Sequence, residues 1–125
     1  MSSLTEGRHT GEFILSEGSG AISRDAVTVD VPATTVLEAG TVLGQLSGTG
    51  HYAPYDDAHS DGSEVAAGIL LAGLDNEAGL VPAEMAGVVI NALAEVREDD
   101  LVWGTDVDEA GGLVDLAALF IKARE

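Results

Sequence analysis

Leu37-Glu-Ala-Gly-Thr-Val-Leu-Gly44, then Gly50-His-Tyr-Ala-Pro-Tyr-Asp56, then Asp61-Gly-Ser-Glu-Val-Ala-Ala-Gly-Ile-Leu70, form the stretch that decides the fold. Short apolar runs alternate here with turn chemistry. Val36, Leu37, Val42, Leu43 and Leu46 have the size and β-branching of small strand cores. Gly40, Gly44, Gly48, Gly50, Pro54 and the pair Asp61-Gly62 supply the bends between them. No catalytic constellation lies within the stretch. Compact β-ribbons without reactive groups point to a building or binding part rather than an enzyme.

Outward from this centre the β pattern continues. Val27, Val29 and Val31 alternate with Thr28 and Asp30, which predicts a half-buried strand over 26–31, ended by Pro32. Glu12 to Ser16 reads as a short strand and Glu17 to Gly20 as a loop. Gly68 to Ala72 reads as a buried strand, and Asp75 to Gly79 as a turn. Ala86 to Val96 reads as one further strand, interrupted by polar Asn91 and Glu95, with helix propensity competing over 92–95. Glu98-Asp99-Asp100-Leu101-Val102-Trp103 suits one helical turn with acids at its N-terminal end, where the helix dipole favours them. Thr105 to Gly112 reads as an acidic loop. Leu113, Leu116, Ala117 and Phe120 share helical spacing and predict a short amphipathic helix. Ile121 to Arg124 suits a last strand.

The chain has 125 residues, the size of one domain. Its apolar content is 46%, yet only 4% of residues are aromatic, so the core is built from small side chains and gains from burial against a partner chain. There are 22 acidic and 5 basic residues, a formal net charge of -17. The bases are Arg8, Arg24, Arg97, Lys122 and Arg124, with none between Asp25 and Val96. Nucleic-acid binding works by cationic side chains displacing phosphate counterions, and this surface would repel phosphate instead. An anionic membrane is disfavoured for the same reason. The acidity suits either a solvated, soluble surface or a salty medium. There is no cysteine, hence no disulfide or thiol chemistry. The polar start lacks the apolar run of a secretion signal, and the expectation is a soluble protein made in the cytoplasm.

Four chemical motifs invite a reading. Asp57-Ala-His59-Ser-Asp61-Gly62 begins like a calcium loop, but the twelfth position, where a bidentate Glu belongs, is Gly68. His51 and His59, with Asp56 and Asp57 nearby, lack the close ligand pairing of zinc sites and read as surface histidines. Adjacent carboxylates such as Asp99-Asp100 follow from composition alone, and neither a serine-nucleophile elbow nor a phosphate loop occurs. Trp103, the sole tryptophan, reads as a core plug, with an exposed interface anchor as the alternative.

The arm Arg8-His9-Thr10-Gly11-Glu12-Phe13-Ile14-Leu15-Ser16-Glu17, the segments Leu37–Gly44 and Gly50–Asp56, and Asp61-Gly62 with Ala67-Gly68-Ile69-Leu70 together resemble the lambda-type bacteriophage head decoration proteins, which stabilise capsids. Glu95-Val96-Arg97-Glu98-Asp99-Asp100-Leu101-Val102-Trp103 is similar to that family's acidic turn, and Leu116 to Lys122 to its short helix and last strand. The order and spacing of these pieces run over nearly the whole chain. One departure is visible: Gly104 follows Trp103 where the family often has proline.

The resemblance implies a mainly β fold with one or two short helices, a β-clip-like compact domain preceded by a flexible N-terminal arm. Residues 1–15 would be the arm and residues 16–125 the decoration domain. It implies a homotrimer at three-fold sites of the expanded phage head, on its outer surface, bound to the major capsid protein and stabilising the shell against internal DNA pressure. The arm, with Arg8, His9, Thr10, Gly11, Glu12, Phe13, Ile14 and Leu15, would order on the capsid and add a strand, Glu12 to Leu15, to a capsid sheet. No catalytic residue, cofactor, metal, nucleic acid or membrane is expected. Two other readings stay open: a small β-rich ligand-binding or enzymatic domain with a site at His51, Tyr52, Asp56 and His59, and a host-surface adhesion module, for which aromatic residues are scarce.

Overall fold

The structure, a computed structural model, describes residues 9–18 and 22–125. In chain order the strands are β1 (Ile14–Glu17), β2 (Arg24–Val31), β3 (Thr35–Leu37), β4 (Val42–Gln45), β5 (Tyr52–Pro54), β6 (Ala66–Leu70), β7 (Leu74–Asn76), β8 (Ala83–Ile90) and β9 (Ala94–Arg97). A single 3-10 turn (Glu98–Asp100), helix α1 (Glu109–Ala118) and β10 (Ile121–Arg124) complete the described chain. With 42% strand and 11% helix the fold is mainly β, as expected. No described helix is long and apolar enough to cross a membrane.

β2 carries its alternation into the structure. Val29 and Val31 are fully buried, and Asp30 between them points to the other face. The whole of β2 pairs antiparallel with β8, from Arg24 opposite Ile90 to Val31 opposite Ala83. On its other side β2 meets β5 in parallel. Strands β2-β5-β4-β6-β8 thereby close into a barrel, which leaves none of these five as an open edge. A second sheet, β1-β9-β10, and a two-stranded ribbon, β3-β7, flank it.

Two cores share the barrel wall. Leu43, Leu70 and Val89 join Val29, Val31, Leu37 and Tyr52 in one cluster. Their immediate neighbours Val42, Ile69 and Ile90 join Phe13, Val96, Leu116 and Ile121 in the other. Successive residues of a strand face opposite ways, so β4, β6 and β8 are each buried on both faces. The adjacent pairs Val42-Leu43, Ile69-Leu70 and Val89-Ile90 follow directly from that demand.

Several elements depart from the sequence expectation. The strand expected over 86–96 is two: β8 ends at Ile90 and β9 begins at Ala94 in a different sheet. Leu93, at φ 48°, turns the chain between them. Buried Ser23 fixes this corner, donating its hydroxyl to the Leu93 carbonyl (2.8 Å) and accepting from the Gly18 amide (2.7 Å). The turn expected at 75–79 begins later, because Leu74–Asn76 pairs with Thr35–Leu37. Asn76 then holds the turn by donating to the carbonyls of Pro32 (3.0 Å) and Val81 (3.1 Å).

The acidic loop expected to run to Gly112 is helical from Glu109. Asp108 caps the helix by accepting from the Gly111 amide at 3.0 Å. Gly112 costs helix propensity, but a side chain there would collide with the tryptophan: its Cβ would lie 2.5 Å from Trp103 Cζ3. Trp103 is accordingly half-buried, edge-on to Tyr55 with ring centroids 5.8 Å apart. Phe120 leaves the expected helix face. The helix stops at Ala118, and Phe120, at φ 62°, turns its ring outward so that Ile121 enters the core. The bend at Asp61-Gly62 is as read: Gly62 has φ 110°, where a Cβ would strike the Gln45 carbonyl.

Gly112→Ala is expected to cost about 1–3 kcal/mol of stability through overpacking. Denaturant unfolding measures the loss, and a red-shifted Trp103 emission accompanies it. An unchanged midpoint and spectrum would contradict the ring-on-helix contact.

Candidate functional site

The segment singled out by the sequence, Arg8 to Leu15, is described from His9 onward; Arg8 lies outside the described residues. His9 to Leu15 is folded against the domain. The Gly11 amide donates to the Leu71 carbonyl (2.9 Å), and the Arg97 amide to the Phe13 carbonyl (2.7 Å). Ile14 pairs with Val96 as β1 runs antiparallel to β9. Phe13 is fully buried and Ile14 packs against the same core. The Phe13 ring, the largest apolar group near the start, completes the core beneath β9. Glu12 to Leu15 is correspondingly engaged at home. His9, Thr10, Glu12 and Leu15 remain exposed.

An exposed ion pair ties this segment to the barrel: Arg24 bonds Glu17 through Nε (2.9 Å) and Nη2 (2.6 Å). The bonded guanidinium holds the Glu17 carboxyl below its usual range, and Glu17 in turn raises Arg24. Arg124 on β10 bonds Glu95 on β9 in the same manner and lowers that carboxyl. Both pairs are solvent-exposed and each contributes little by itself.

The histidine site of the alternative reading is not assembled. His51 Nδ1 lies 2.8 Å from Asp30 Oδ1. His59 instead contacts Ser63 Oγ at 2.9 Å and Asp56 Oδ2 at 3.5 Å. Tyr52 is buried in the barrel core. A groove of about 360 Å³ between Pro54, Tyr55, Pro82 and Val107 receives Asp56 and His59, whereas His51 and Tyr52 do not line it. Asp61, the fifth position of the calcium-like loop, spends Oδ1 on the amide (3.1 Å) and hydroxyl (2.6 Å) of Ser63. That hydroxyl bond, foremost, lowers the Asp61 carboxyl.

Beside the groove, the Tyr55 hydroxyl donates to the Asp108 carbonyl at 2.9 Å. Burial raises its pKa, and the negative charges of Asp108, Asp57, Asp115 and Asp56 raise it further. Elsewhere the described surface carries large apolar groups on turns and on the helix: Leu80 (89% exposed), Val81 (68%), Val114 (70%) and Phe120 (75%). The sequence pattern had marked Phe120 as inward, and nothing in the spacing of Leu80 and Val81 distinguished them from strand residues.

The described geometry is a closed barrel with His9–Glu17 packed on one flank and bulky apolar groups on exposed turns. The family model of the bacteriophage lambda head decoration protein D matches residues 3–121, and the chain belongs to that family. Comparison with curated proteins finds no match. Membership makes this chain a structural component of a phage head that decorates the capsid.

Two outcomes follow from the site geometry. Phe13→Ala should lower stability by about 3–5 kcal/mol, the usual cost of deleting a buried aromatic ring, as read by denaturant unfolding. A loss below about 1 kcal/mol would return Phe13 to a dispensable arm. Because the folded-state pKa of Tyr55 is raised, its contribution is intact below the ordinary tyrosine value and is lost as pH rises through the folded one. Wild type should therefore lose stability from pH 8 to pH 11 more steeply than Tyr55→Phe, which gives up about 1 kcal/mol at neutral pH with its hydrogen bond. Parallel profiles would contradict this assignment.

Proposed function

We propose that this chain is made in the host cytoplasm and binds the expanded phage head as a homotrimer, on the outer surface at three-fold sites, where it stabilises the shell against the pressure of packaged DNA. The observation that carries the reading is family membership across residues 3–121. The bulky apolar groups at Leu80, Val81, Val114 and Phe120 support it, since such surface is a candidate for burial between subunits or against a capsid. Trimeric binding multiplies weak contacts, so each N-terminal segment need hold only modestly. The net charge of -17 supports a protein that stays clear of the packaged DNA. In this reading neither cofactor nor catalysis has a part.

The capsid contact falls to the segment ahead of β1: Arg8, His9, Thr10 and Glu12, with Leu15 on the exposed side of β1. Phe13 and Ile14 then act as the anchor that fixes where the segment leaves the domain, and Gly11 as its bend, at φ 68°. Ordering a segment on a partner costs conformational entropy, and an anchor at its base reduces the number of residues that must be ordered.

Deleting residues 2–8 should leave the thermal midpoint and the oligomer unchanged while reducing binding to expanded heads at least tenfold in a sedimentation assay. Undiminished binding would remove residues 2–8, Arg8 among them, from the contact. Analytical ultracentrifugation of the full chain should give three times the 12.7 kDa protomer mass. A monomer at high concentration would overturn the trimer.

A further inference from the structure

We propose that Asp30, His51 and Glu84 form a binding site for a zinc-class divalent cation on the outside of the barrel. Three separate segments converge here. Asp30 and Glu84 are directly opposite one another on β2 and β8. β5 runs parallel to β2 on its other side, with Tyr52 beside Val29 in the core; His51, just before Tyr52, reaches diagonally across the outer face to Asp30. One ligand atom from each of the three lies within 4.8 Å of the other two.

The chemistry of the donor set selects the cation. One imidazole nitrogen and two carboxylate oxygens suit zinc and its first-row neighbours, whereas magnesium and calcium favour oxygen donors alone. Two donors on one tetrahedral zinc stand roughly 3.4 Å apart, given metal–ligand bonds near 2.1 Å. The His51 Nδ1 to Asp30 Oδ1 separation is already 2.8 Å, so these two need only a small opening. Glu84 is exposed and its longer side chain closes the remaining distance. On binding, Nδ1 becomes the ligand and the ring proton resides on Nε2 or leaves to solvent. Solvent supplies the fourth position.

The scaffold is stiff where the ligands require it. Asp30 lies between two fully buried valines, which fix the face it presents. His51 closes a tight loop: its carbonyl accepts from the Leu46 amide at 2.7 Å, and its amide donates to Thr49 Oγ1 at 3.2 Å.

Charge supplies a second, separate argument. Like charges directly opposite on neighbouring strands repel. The described guanidinium groups are engaged elsewhere: Arg24 with Glu17, Arg97 with Asp100 and Arg124 with Glu95. Among the described residues His51 stands with the Asp30–Glu84 pair, and a divalent cation neutralises both carboxylates at once. It would also clip β2 to its two barrel neighbours.

The test is calorimetric titration of chelator-treated full-length protein with zinc chloride, alongside thermal unfolding with and without zinc. Saturable binding of one equivalent per chain is expected, with a higher midpoint in zinc. His51→Ala and Glu84→Gln should each weaken binding at least tenfold and abolish the midpoint shift, while His59→Ala leaves both unchanged. Glu84→Gln alters an exposed side chain, so it decides the matter should His51→Ala fail to fold. Absence of saturable binding, wild-type affinity in Glu84→Gln, loss in His59→Ala, or an equal response to magnesium chloride would each overturn the site. The last would reduce it to diffuse attraction by an acidic surface. None of these outcomes bears on capsid binding, which is measured separately.

Discussion

Burial of β4, β6 and β8 on both faces is the constraint on which the structure depends. A strand at a protein surface needs one apolar face, and every second residue suffices. Here Val42 and Leu43, Ile69 and Leu70, Val89 and Ile90 serve two different clusters through adjacent positions. Neither cluster is large, since the chain is poor in aromatic residues, and each uses the shared wall as one of its sides. Removing a residue from either cluster loosens a strand that the other needs. The flanking sheet, helix α1 and Phe13 close the outer cluster, so the N-terminal segment is tied to the barrel by the same demand for burial.

That constraint also sets what could be read from the residues. β2 was legible because Val27, Val29 and Val31 obey a two-residue period, whereas the helix end before β10 was not, since Phe120 had been placed on the helix face. The doubly buried strands were legible only as apolar runs, without showing that two cores meet there. The break between β8 and β9 was not legible. Asn91-Ala92-Leu93 contains no glycine or proline, and its turn depends on Ser23, 70 residues away in sequence from Leu93. The start of α1 was hidden by Gly111-Gly112: Gly112 is explained by a ring contributed from Trp103, and Gly111 by the capping Asp108 carboxylate against it. The packing of Phe13 on its own domain was not legible, because a lone aromatic in a polar start looks the same whether it docks on a partner or at home.

Electrostatics divides the molecule in a comparable way. The described basic side chains cluster on the β1-β9-β10 flank and its entrance, where Arg24, Arg97 and Arg124 each meet a carboxylate. The barrel wall from Asp25 to Val96 has no base at all. Acids gathered around Tyr55, the directly opposed Asp30 and Glu84, and the hydroxyl-bonded Asp61 are three local answers to one excess of negative charge: hold a neighbour neutral, bring in an imidazole, or satisfy the oxygens with donors. The flank that carries the bases is also the flank on which the N-terminal segment lies.

The pairing of β2 with β8 joins residues 52 positions apart at one end (Val31 with Ala83) and 66 at the other (Arg24 with Ile90). During synthesis β2 therefore waits for its main partner, roughly 3–13 s at 5–20 residues per second. Through that interval its valine face and the edge that β8 will cover are open to other nascent chains. Long-range pairing of this kind is slow and exposed to aggregation. A chain that is strongly anionic along the intervening segment repels its copies during that wait, so the acidity that serves the finished surface also protects the barrel before it closes.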